Sequence, residues 1–417
     1  MQTTLTESLR STPDGREAES ILRTCVHCGF CTATCPTYGL LGDERDGPRG
    51  RIYLIKEALE GEAVTRRTQV HLDRCLACRA CETTCPSGVR YGRLLDIGRA
   101  AIERRVRRTI AERVKRRLLC TVMPHESRFS PLLGLARRLR PLLPTAWRNA
   151  IPPLQESGSW PRSMHNRRML ALGGCVQPSI APNIDAATAR VLGRLGIGLQ
   201  RVAGSGCCGA LSYHLGNQRD GLEFARRNID AWWPHIDDGA EAIVLNASGC
   251  GLMVKEYGFL LRDDPAYADR AARISTMALD IGEVLAKEDR SRIVPLTRSG
   301  ARIAFHAPCT LQHGQRISGI VETILMDAGF ELTPVPDGHL CCGSAGTYSL
   351  LQPELSQRLL HQKVDALESG QPAAIATANI GCLAHLQSRA GVPVRHWIEL
   401  LDAAMSATCP NTLEQTG

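Results

Sequence analysis

One cysteine motif occurs twice near the start of the chain, and it limits the possible folds of this region more than any other feature. The letters CVHCGFCTATCP begin at residue 25, and CLACRACETTCP begin at residue 75. Both copies have the spacing C-x2-C-x2-C-x3-C-P, and all four cysteines recur at an offset of 50 residues. The proline after each fourth cysteine has a fixed φ and no N–H, which suits a chain leaving a tight loop. Two equivalent sets of thiol ligands are therefore predicted.

The spacing is that of bacterial two-cluster ferredoxins, in which three close cysteines bind three irons of one cubane. The fourth cysteine of each motif ligates the other cluster. The motifs therefore predict two 4Fe–4S clusters with crossed ligand sets. The predicted ligands are Cys25, Cys28, Cys31 and Cys85 for the first cluster, and Cys35, Cys75, Cys78 and Cys81 for the second.

Other roles for these cysteines fit the sequence less well. Disulfides need an oxidising compartment, and the opening letters MQTTLTESLR have no apolar core of a secretory signal. The 18 cysteines therefore indicate a reducing cytoplasm and metal binding. Zinc usually takes two CxxC pairs separated by a spacer. A zinc-stabilised scaffold remains the alternative that metal counting would reveal.

The chain is long enough for several domains, and the pattern of apolar and charged residues changes along its length. The interval between the motifs is too long for a minimal ferredoxin hairpin, and its apolar spacing predicts a helix that ends near Gly61. The fold class predicted is mixed, an α-helical two-cluster ferredoxin domain followed by a duplicated α/β domain. The predicted bounds are 1–98 for the ferredoxin-type domain, 99–167 for a basic amphipathic connector, 168–298 and 299–405 for the two α/β repeats, and 406–417 for a C-terminal tail.

The connector carries the basic charge of the chain. Residues 99–150 hold 14 Lys and Arg against three acidic residues, so the remainder of the chain is net negative. A helical stripe recurs every four residues, and a Leu-, Arg- and Pro-rich segment follows it as far as Trp147. The stripe consists of Ile102, Val106, Ile110, Val114 and Leu118. Either this segment is a tether packed on its own domains, or it docks on a membrane or a partner subunit. The basic segment contains no motif that binds a groove of DNA or RNA, so nucleic acid is not an expected partner.

From residue 168 the pattern becomes that of an α/β protein. The apolar runs RMLALGG, EAIVLNAS, RIAFHAP and PAAIATANIG each predict a buried strand, and a cysteine follows each of them. Strand C-termini are where open α/β sheets build their sites. The region also repeats: the first three cysteines of each half are offset by 134 residues, and the last by 132. Two homologous halves are therefore predicted to face each other across a pseudo-twofold axis.

Each half offers a four-cysteine quartet, which is predicted to converge. The quartets are Cys175, Cys207, Cys208 and Cys250 in the first half, and Cys309, Cys341, Cys342 and Cys382 in the second. They form either a further metal or acceptor site or a set of reduced cysteines that line a pocket. His306 and His339 are predicted to assist the second quartet as hydrogen-bond donors. Gly209 and Gly343, which follow the adjacent cysteines, are predicted to leave room for a bulky cofactor.

Twin ferredoxin motifs followed by two CCG repeats resemble the iron–sulfur subunits of membrane-linked hydroxyacid and glycerol-3-phosphate dehydrogenases, and the heterodisulfide reductases. Three longer strings narrow the resemblance to one of these families: HLCCGSAGTYSL, TANIGCLAHL and VRHWIEL. They are similar to the iron–sulfur subunits of bacterial glycolate oxidases. The resemblance runs from about residue 5 to residue 404 and is weakest across the connector.

This resemblance implies an electron-transfer subunit with two 4Fe–4S clusters and no catalytic residue of its own. A flavoprotein subunit with FAD would oxidise glycolate to glyoxylate, and also D-lactate to pyruvate, beside a second flavin-type subunit. Electrons would pass to quinone or another membrane acceptor, with the complex peripheral on the cytoplasmic side of the inner membrane. The chain itself has no recognisable flavin or nicotinamide motif, which agrees with flavin and substrate being bound by the partner subunits.

Two other functions remain open on the sequence alone. The chain could be the equivalent subunit of a lactate or anaerobic glycerol-3-phosphate dehydrogenase. It could also be a thiol–disulfide reductase like the heterodisulfide reductases, whose repeats can end in CxxC. Met253 and His385 stand where that last cysteine would be, so an identical five-cysteine site is not expected.

Overall fold

The computed structural model describes residues 1–142, 144, 151–161, 165–293 and 300–406. Trp147 and all but the first residue of the tail predicted at 406–417 lie outside the described residues. A helical module comes first, and two α/β halves follow it. None of the helices in the described ranges is long and apolar enough to cross a bilayer.

The N-terminal module is built from short helices around the two cysteine motifs. Its elements are α1 (Glu7–Arg10), α2 (Pro13–Thr24), α3 (Phe30–Ala33), α4 (Pro36–Leu41), α5 (Pro48–Glu60), α6 (Arg66–Asp73), α7 (Ala80–Thr83) and α8 (Tyr91–Arg105), with a 3-10 turn at Glu44–Asp46. The helix predicted between the motifs is α5, which begins at a proline and ends before Gly61 at a φ of +100°. A Cβ on Gly98 of α8 would lie 2.6 Å from Ile55 Cγ1, so α5 and α8 pack in close contact.

The predicted boundary at residue 98 falls inside α8. Ala101 and Ile102, in the second half of this helix, are buried in the core of the module. The helix then ends at Val106, and α9 (Ile110–Val122) starts anew behind a Thr109–Glu112 capping box. The single stripe predicted from the sequence is therefore divided between two helices, one buried and one exposed.

The connector continues from α9 into α10 (Glu126–Leu139) and a 3-10 turn at Arg140–Leu142. The guanidinium of Arg137 donates to the carbonyl oxygens of Pro152, Pro153 and Ser179 at 3.0, 3.1 and 3.1 Å. This arginine therefore fastens the connector to the first α/β half, as the tether interpretation requires.

Two four-stranded parallel sheets follow, and they have equivalent strand orders. The orders are β2-β1-β3-β4 and β6-β5-β7-β8. The strands are β1 (Arg167–Ala171), β2 (Ile197–Arg201), β3 (Ile243–Leu245), β4 (Ala278–Asp280), β5 (Arg302–His306), β6 (Glu331–Leu332), β7 (Ala374–Thr377) and β8 (Val394–His396). The predicted fold class, a helical ferredoxin-type module followed by a duplicated α/β region, is confirmed.

Helices surround both sheets. In the first half they are α11 (Gln177–Ile180), α12 (Asn183–Arg194), α13 (Ala210–His214), α14 (Gln218–Asp237), α15 (Ser248–Lys255), α16 (Tyr257–Leu260), α17 (Ala268–Met277) and α18 (Ile281–Lys287). In the second half they are α19 (Ile320–Asp327), α20 (Tyr348–Leu351), α21 (Pro353–Glu368), α22 (Ile380–Gln387) and α23 (Trp397–Ser406). A 3-10 turn at Arg290–Ile293 and a π-helical turn at Thr310–Gly314 complete the described elements.

The two α/β halves share one hydrophobic core, which holds their cysteine quartets at fixed relative positions. Helix α12 of the first half packs on α23 of the second, and the fully buried Trp397 belongs to the shared core. At the edge of this contact the Arg190 guanidinium pairs with the Asp402 carboxylate at 2.6 Å. A buried hydrogen bond of 2.8 Å joins His396 Nε2 to the backbone oxygen of Asn246.

Candidate metal centres

The two ferredoxin-type motifs have the same backbone shape. His27 and Gly29 of the first loop have φ values of 58° and 87°, and the matching residues Ala77 and Arg79 have 53° and 61°. Positive φ is uncommon for residues other than glycine. Backbone that alternates between right- and left-handed conformations turns successive N–H groups into a concavity, as at iron–sulfur sites. Both loops therefore curve around a centre towards which thiols can converge.

The first predicted ligand set surrounds one cavity. Cys25, Cys28, Cys31 and Cys85 all line it, and so does Cys81 of the second predicted set. Burial, followed by the neighbouring thiols of Cys25, Cys85 and Cys28, raises the pKa of Cys31 to about 11. Thiolates that are crowded in this way repel one another unless cations lie between them. The four side chains therefore fit a cluster that supplies iron charge at their centre.

The second predicted set, Cys35, Cys75, Cys78 and Cys81, is also brought together. Burial first, and then the charges of Cys78 and Cys75, raise the pKa of Cys81 well above its ordinary value, and Cys35 adds to the effect. Two hydrogen-bond donors are directed at Cys75 Sγ. The Ala77 N–H lies 3.4 Å from this sulfur, and the Tyr91 hydroxyl lies 3.6 Å from it. Donors to cluster sulfurs tune the reduction potential, so this environment suits an electron carrier.

A buried ionic network lies beside the second set. Arg51, which is 1% exposed, donates through Nε to the His71 carbonyl at 2.8 Å and through both terminal nitrogens to Thr37 Oγ1 at 3.1 Å. Asp46, which is 0% exposed, lies 3.5 Å from Arg51 and accepts from Arg74 at 2.9 Å. Thr37 Oγ1 is also 3.4 Å from Cys35 Sγ. The network thus places a paired cation next to Cys35, a predicted cluster ligand, and no pattern in the sequence indicates this contact.

The second motif also holds the module against both α/β halves. Arg79 pairs with Glu256 of the first half at 2.6 Å. Two contacts reach the second half. Thr83 Oγ1 lies 3.0 Å from Nδ1 of His313, and Oη of Tyr348 donates to the carbonyl oxygen of Arg74 at 3.1 Å. Burial raises the pKa of the Cys78 thiol, and the charge of the neighbouring Cys309 thiol adds to this rise. The second ligand set therefore adjoins the second quartet.

In the second half, the four thiols lie near one another. Cys309 and Cys341 pack in one hydrophobic cluster with Tyr348 and Leu359, and the Cys341 thiol, followed by burial, raises the pKa of Cys309. The sulfurs of Cys342 and Cys382 lie 3.4 Å apart. All four residues are buried. Contact between Cys342 and Cys382 is direct, and the convergence of all four thiols on one centre stays a prediction.

The first half repeats this arrangement. Cys175 interacts with Cys207, Cys207 with Cys208, and Cys208 with Cys250. Hydrogen bonds from Cys175 and Cys208 lower the pKa of the Cys207 thiol, while the Cys207 thiolate and burial raise the pKa of Cys175. The Gly209 N–H donates to Cys207 Sγ at 3.4 Å, so one backbone donor supports this thiolate. Gly343 donates in the same way to Cys341 at 3.5 Å.

The glycines that follow the adjacent cysteines serve packing, contrary to the prediction that they make room for a cofactor. Gly209 and Gly343 have φ values of 89° and 88°. A Cβ on Gly209 would lie 2.3 Å from the carbonyl oxygen of Gly221, and one on Gly343 would lie 2.6 Å from that of Ser356. The space that glycine leaves is therefore taken by the backbones of α14 and α21.

The two histidines predicted near the second quartet have different positions. His306 lies beside Cys342 and Cys382, with one ligand atom from each of the three residues within 4.8 Å of the others. His339 contributes its backbone oxygen, which lies 3.0 Å from His313 Nε2. The prediction of His339 as a side-chain donor to the thiols is therefore replaced by a role in holding His313.

One large cavity lies between the second predicted ligand set and the two quartets. It has a volume of about 670 Å³ and is lined by members of both quartets and by Cys75 and Cys78 of the second motif. Its walls are mainly apolar and include Leu252, Met253 and Ile380. Ligand pockets for small organic molecules have volumes of roughly 300–1,000 Å³, so this cavity can admit such a molecule next to the second cluster ligands.

Comparison with known protein families supports the division into one ferredoxin-type module and two repeats. Residues 21–89 match the family described as 4Fe-4S dicluster domain. Residues 170–255 and 303–387 each match the family described as Cysteine-rich domain. The matched ranges include both motifs and both quartets.

Known relatives cover nearly the whole chain. The chain is 55% identical to the glycolate oxidase iron-sulfur subunit of Escherichia coli, over 97% of this chain and 99% of that protein. It is 32% identical to the probable glycolate oxidase iron-sulfur subunit of Bacillus subtilis, over 90% of each chain. It is also 28% identical to the lactate utilization protein A of Bacillus licheniformis, over 55% of this chain and 96% of that protein.

Proposed function

The chain belongs to the family of glycolate oxidase iron–sulfur subunits, and we propose that it passes electrons from a flavoprotein subunit to a membrane acceptor. Its part in the oxidation of glycolate to glyoxylate is electron transfer, and the substrate is bound on partner subunits. The observation that carries the proposal is the grouping of the motif cysteines in the N-terminal module: Cys25, Cys28, Cys31 and Cys85 line one cavity, and Cys75 and Cys78 line the large one.

The cofactors of the chain are 4Fe–4S clusters, which supply one-electron transfer. We assign Cys25, Cys28, Cys31 and Cys85 to the first cluster, and Cys35, Cys75, Cys78 and Cys81 to the second. The shape of the loops, the crowding of the thiols and the donors at Cys75 support this assignment. The protein contributes by holding the thiolates, excluding water and placing Arg51 beside the second set.

The exposure of the two sets suggests a direction for the electrons. Cys28 is exposed, and its neighbours Val26 and Phe30 are 67% and 63% exposed. The flavoprotein subunit is therefore proposed to dock over the first cluster. The second cluster faces the cavity, so electrons would leave through Cys78 towards the second quartet.

The acceptor and the further substrates belong to the same proposal. A membrane quinone has the flat apolar ring that the 670 Å³ cavity could hold. An FAD subunit and a second flavin-type subunit complete the proposed complex. D-lactate is proposed as a second substrate, because the chain also resembles lactate utilization proteins over about half of its length.

Omission of this subunit from the complex provides the test. Without the chain, glycolate should still reduce a dye that takes electrons directly from flavin, but quinone reduction should fall at least about 100-fold, since the remaining flavin would have no carrier nearby. The measurement is glycolate-dependent reduction of both acceptors by membranes of a deletion strain, with and without the restored chain.

The same membranes should be assayed with D-lactate and glycerol 3-phosphate. Restoration with glycerol 3-phosphate alone would assign the chain to the other dehydrogenase. Undiminished quinone reduction by glycolate in the deletion strain would refute the electron-transfer role.

Helix α9 supports peripheral association with the membrane. Its residues Ile110, Val114 and Leu118 are 72%, 52% and 58% exposed. The helix is held against the N-terminal module by Arg116, which pairs with Asp73 of α6 at 3.2 Å. Exposed apolar side chains next to cationic ones are typical of helices that lie in the headgroup region of an anionic bilayer. We therefore propose that α9 anchors the complex on the membrane.

Replacing Ile110, Val114 and Leu118 together by serine should move most of the complex from the membrane to the supernatant, because the apolar contact with the acyl chains is lost. Sedimentation with vesicles that contain anionic lipid measures this change. Met326→Ser, which alters another half-exposed apolar residue far from α9, serves as the control and should sediment like the parent. If the triple variant still sediments fully, α9 is a subunit interface.

A further inference from the structure

We propose that Arg51 sets the direction of electron transfer within the N-terminal module by raising the reduction potential of the second cluster above that of the first. Arg51 is a positioning residue, because it acts on the electrons through the cluster ligands beside it. The inference rests on the proposed assignment of Cys35, Cys75, Cys78 and Cys81 to the second cluster. It adds a physical reason why electrons that enter at the first cluster move on to the second.

The guanidinium of Arg51 lies within electrostatic range of two predicted ligands. Both of its terminal nitrogens donate to Thr37 Oγ1 at 3.1 Å, and the same oxygen lies 3.4 Å from Cys35 Sγ. Burial lowers the pKa of Arg51, but negative charge on its neighbours, among them Cys75 and Cys35, produces a net rise. The cation therefore interacts with one thiolate from each cysteine motif.

The ionic network around Arg51 has an excess of positive charge. Arg51 and Arg74 share one carboxylate, that of Asp46, at 3.5 and 2.9 Å. The imidazole of His71, 3.0 Å from the same carboxylate, can only add to this charge. Arg51 and Asp46 are both buried, so salt screens them much less than it screens charges at the surface. The second ligand set therefore lies next to a net positive charge in the interior.

The first ligand set also has a cation, but that cation is neutralised at the surface. Arg49, which precedes Arg51 by two residues on α5, lines the cavity of the first set. A Cβ on Gly29 would lie 2.7 Å from Arg49 Nη1. Arg49 pairs with Glu44 at 2.6 Å, and the two side chains are 38% and 41% exposed. Water and salt screen such a pair, so it contributes little to the potential of the first cluster.

Positive charge of this kind raises a reduction potential, because reduction adds one electron and the cation stabilises the reduced form. Net charge and solvent exposure are among the factors that set the potential of an iron–sulfur cluster. At the effective dielectric constant of a protein, a unit charge at about 6–8 Å changes an equilibrium constant by roughly 10- to 100-fold. Arg51 therefore makes electron transfer from the first cluster to the second favourable.

Redox titration of the oxygen-free complex, followed by EPR spectroscopy, tests the proposal. Arg51→Gln should lower the equilibrium constant for reduction of the second cluster at least about tenfold, which is about 59 mV for a one-electron couple. Asp46→Asn removes the counter-charge and should raise the same constant at least about threefold. The signal of the second cluster is the one that persists in Cys28→Ala. Loosening of the fold alone would shift both variants in the same direction, whereas charge shifts them in opposite directions.

Two further variants serve as controls. Arg51→Lys keeps the charge and should keep the equilibrium constant of the second cluster within about threefold of the parent value. Arg49→Gln removes the surface cation of the first set and should leave both clusters within about the same limit. If Arg51→Gln does not assemble both clusters, Asp46→Asn decides alone: a rise supports the proposal, and an unchanged potential overturns it.

The outcomes separate this inference from the proposed function. Two full cluster signals whose potentials stay unchanged in Arg51→Gln would overturn the inference and leave the electron-transfer role intact. Shifts in the same direction in Arg51→Gln and Asp46→Asn would do the same. A parent with fewer than two cluster signals would overturn the ligand assignment and this inference together.

Discussion

Cys28→Ala should remove about half of the iron, because a cubane that loses one of its four thiolates is no longer held in a two-cluster protein. Cys28 is exposed, so the substitution itself removes little buried surface. Glycolate-dependent quinone reduction should fall at least about 100-fold, since electrons would then lack the carrier nearest the proposed flavoprotein contact. Iron counting and EPR spectroscopy of the dithionite-reduced protein measure the first effect.

The matched control is Cys120→Ala. Cys120 lies on α9 outside both motifs and both quartets, so its replacement should leave iron content and both EPR signals unchanged. Cluster ligation contributes folding free energy directly, so some loss of soluble Cys28→Ala protein is expected. Two cluster signals of full intensity in the Cys28 variant would contradict the ligand assignment.

Asp46→Ala should lower the free energy of unfolding by about 3–5 kcal/mol, which is the cost of leaving a buried charge without its partner. Arg51 and Asp46 are 1% and 0% exposed, so water cannot replace the lost carboxylate. Arg74 and His71 would lose a contact as well. Urea unfolding under anaerobic conditions, followed by circular dichroism, measures the change in the cluster-loaded protein.

Asp43→Ala is the control, because it alters a neighbouring ion pair at the surface. Asp43 pairs with Arg45 at 2.8 Å, and the two side chains are 33% and 55% exposed. Exposed pairs typically contribute about 0–1 kcal/mol, so this variant should unfold almost like the parent. Equal destabilisation by the two substitutions would show that the buried network contributes no more to the free energy of unfolding than the surface ion pair.

Strand prediction succeeded where the strands are buried in the middle of a sheet. The four apolar runs named in the sequence became β1, β3, β5 and β7, which are the inner strands of the two sheets. The four outer strands were missed. Three of them have only two or three residues, as in β6 (Glu331–Leu332), and so short a segment carries no readable periodicity.

The connector shows a second limit of pattern reading. The four-residue period from Ile102 to Leu118 suggested one stripe, but the helix is interrupted at Val106, which separates a buried helix from an exposed one. The Thr109–Glu112 capping box that starts α9 is visible in the sequence.

The sequence by itself determined the class of cofactor and the organisation of this protein: a twice-repeated cysteine motif typical of 4Fe–4S clusters and a duplicated α/β region with four cysteines in each half. Ligand spacing within a loop and repeats along the chain are local properties, so they can be read without a structure. The tertiary fold alone decided that Arg51 lies beside the second cluster ligands, that Cys78 meets Cys309, and that His306 and not His339 joins the thiols. These contacts join residues far apart in the chain, and only the packing of helices and sheets brings them together.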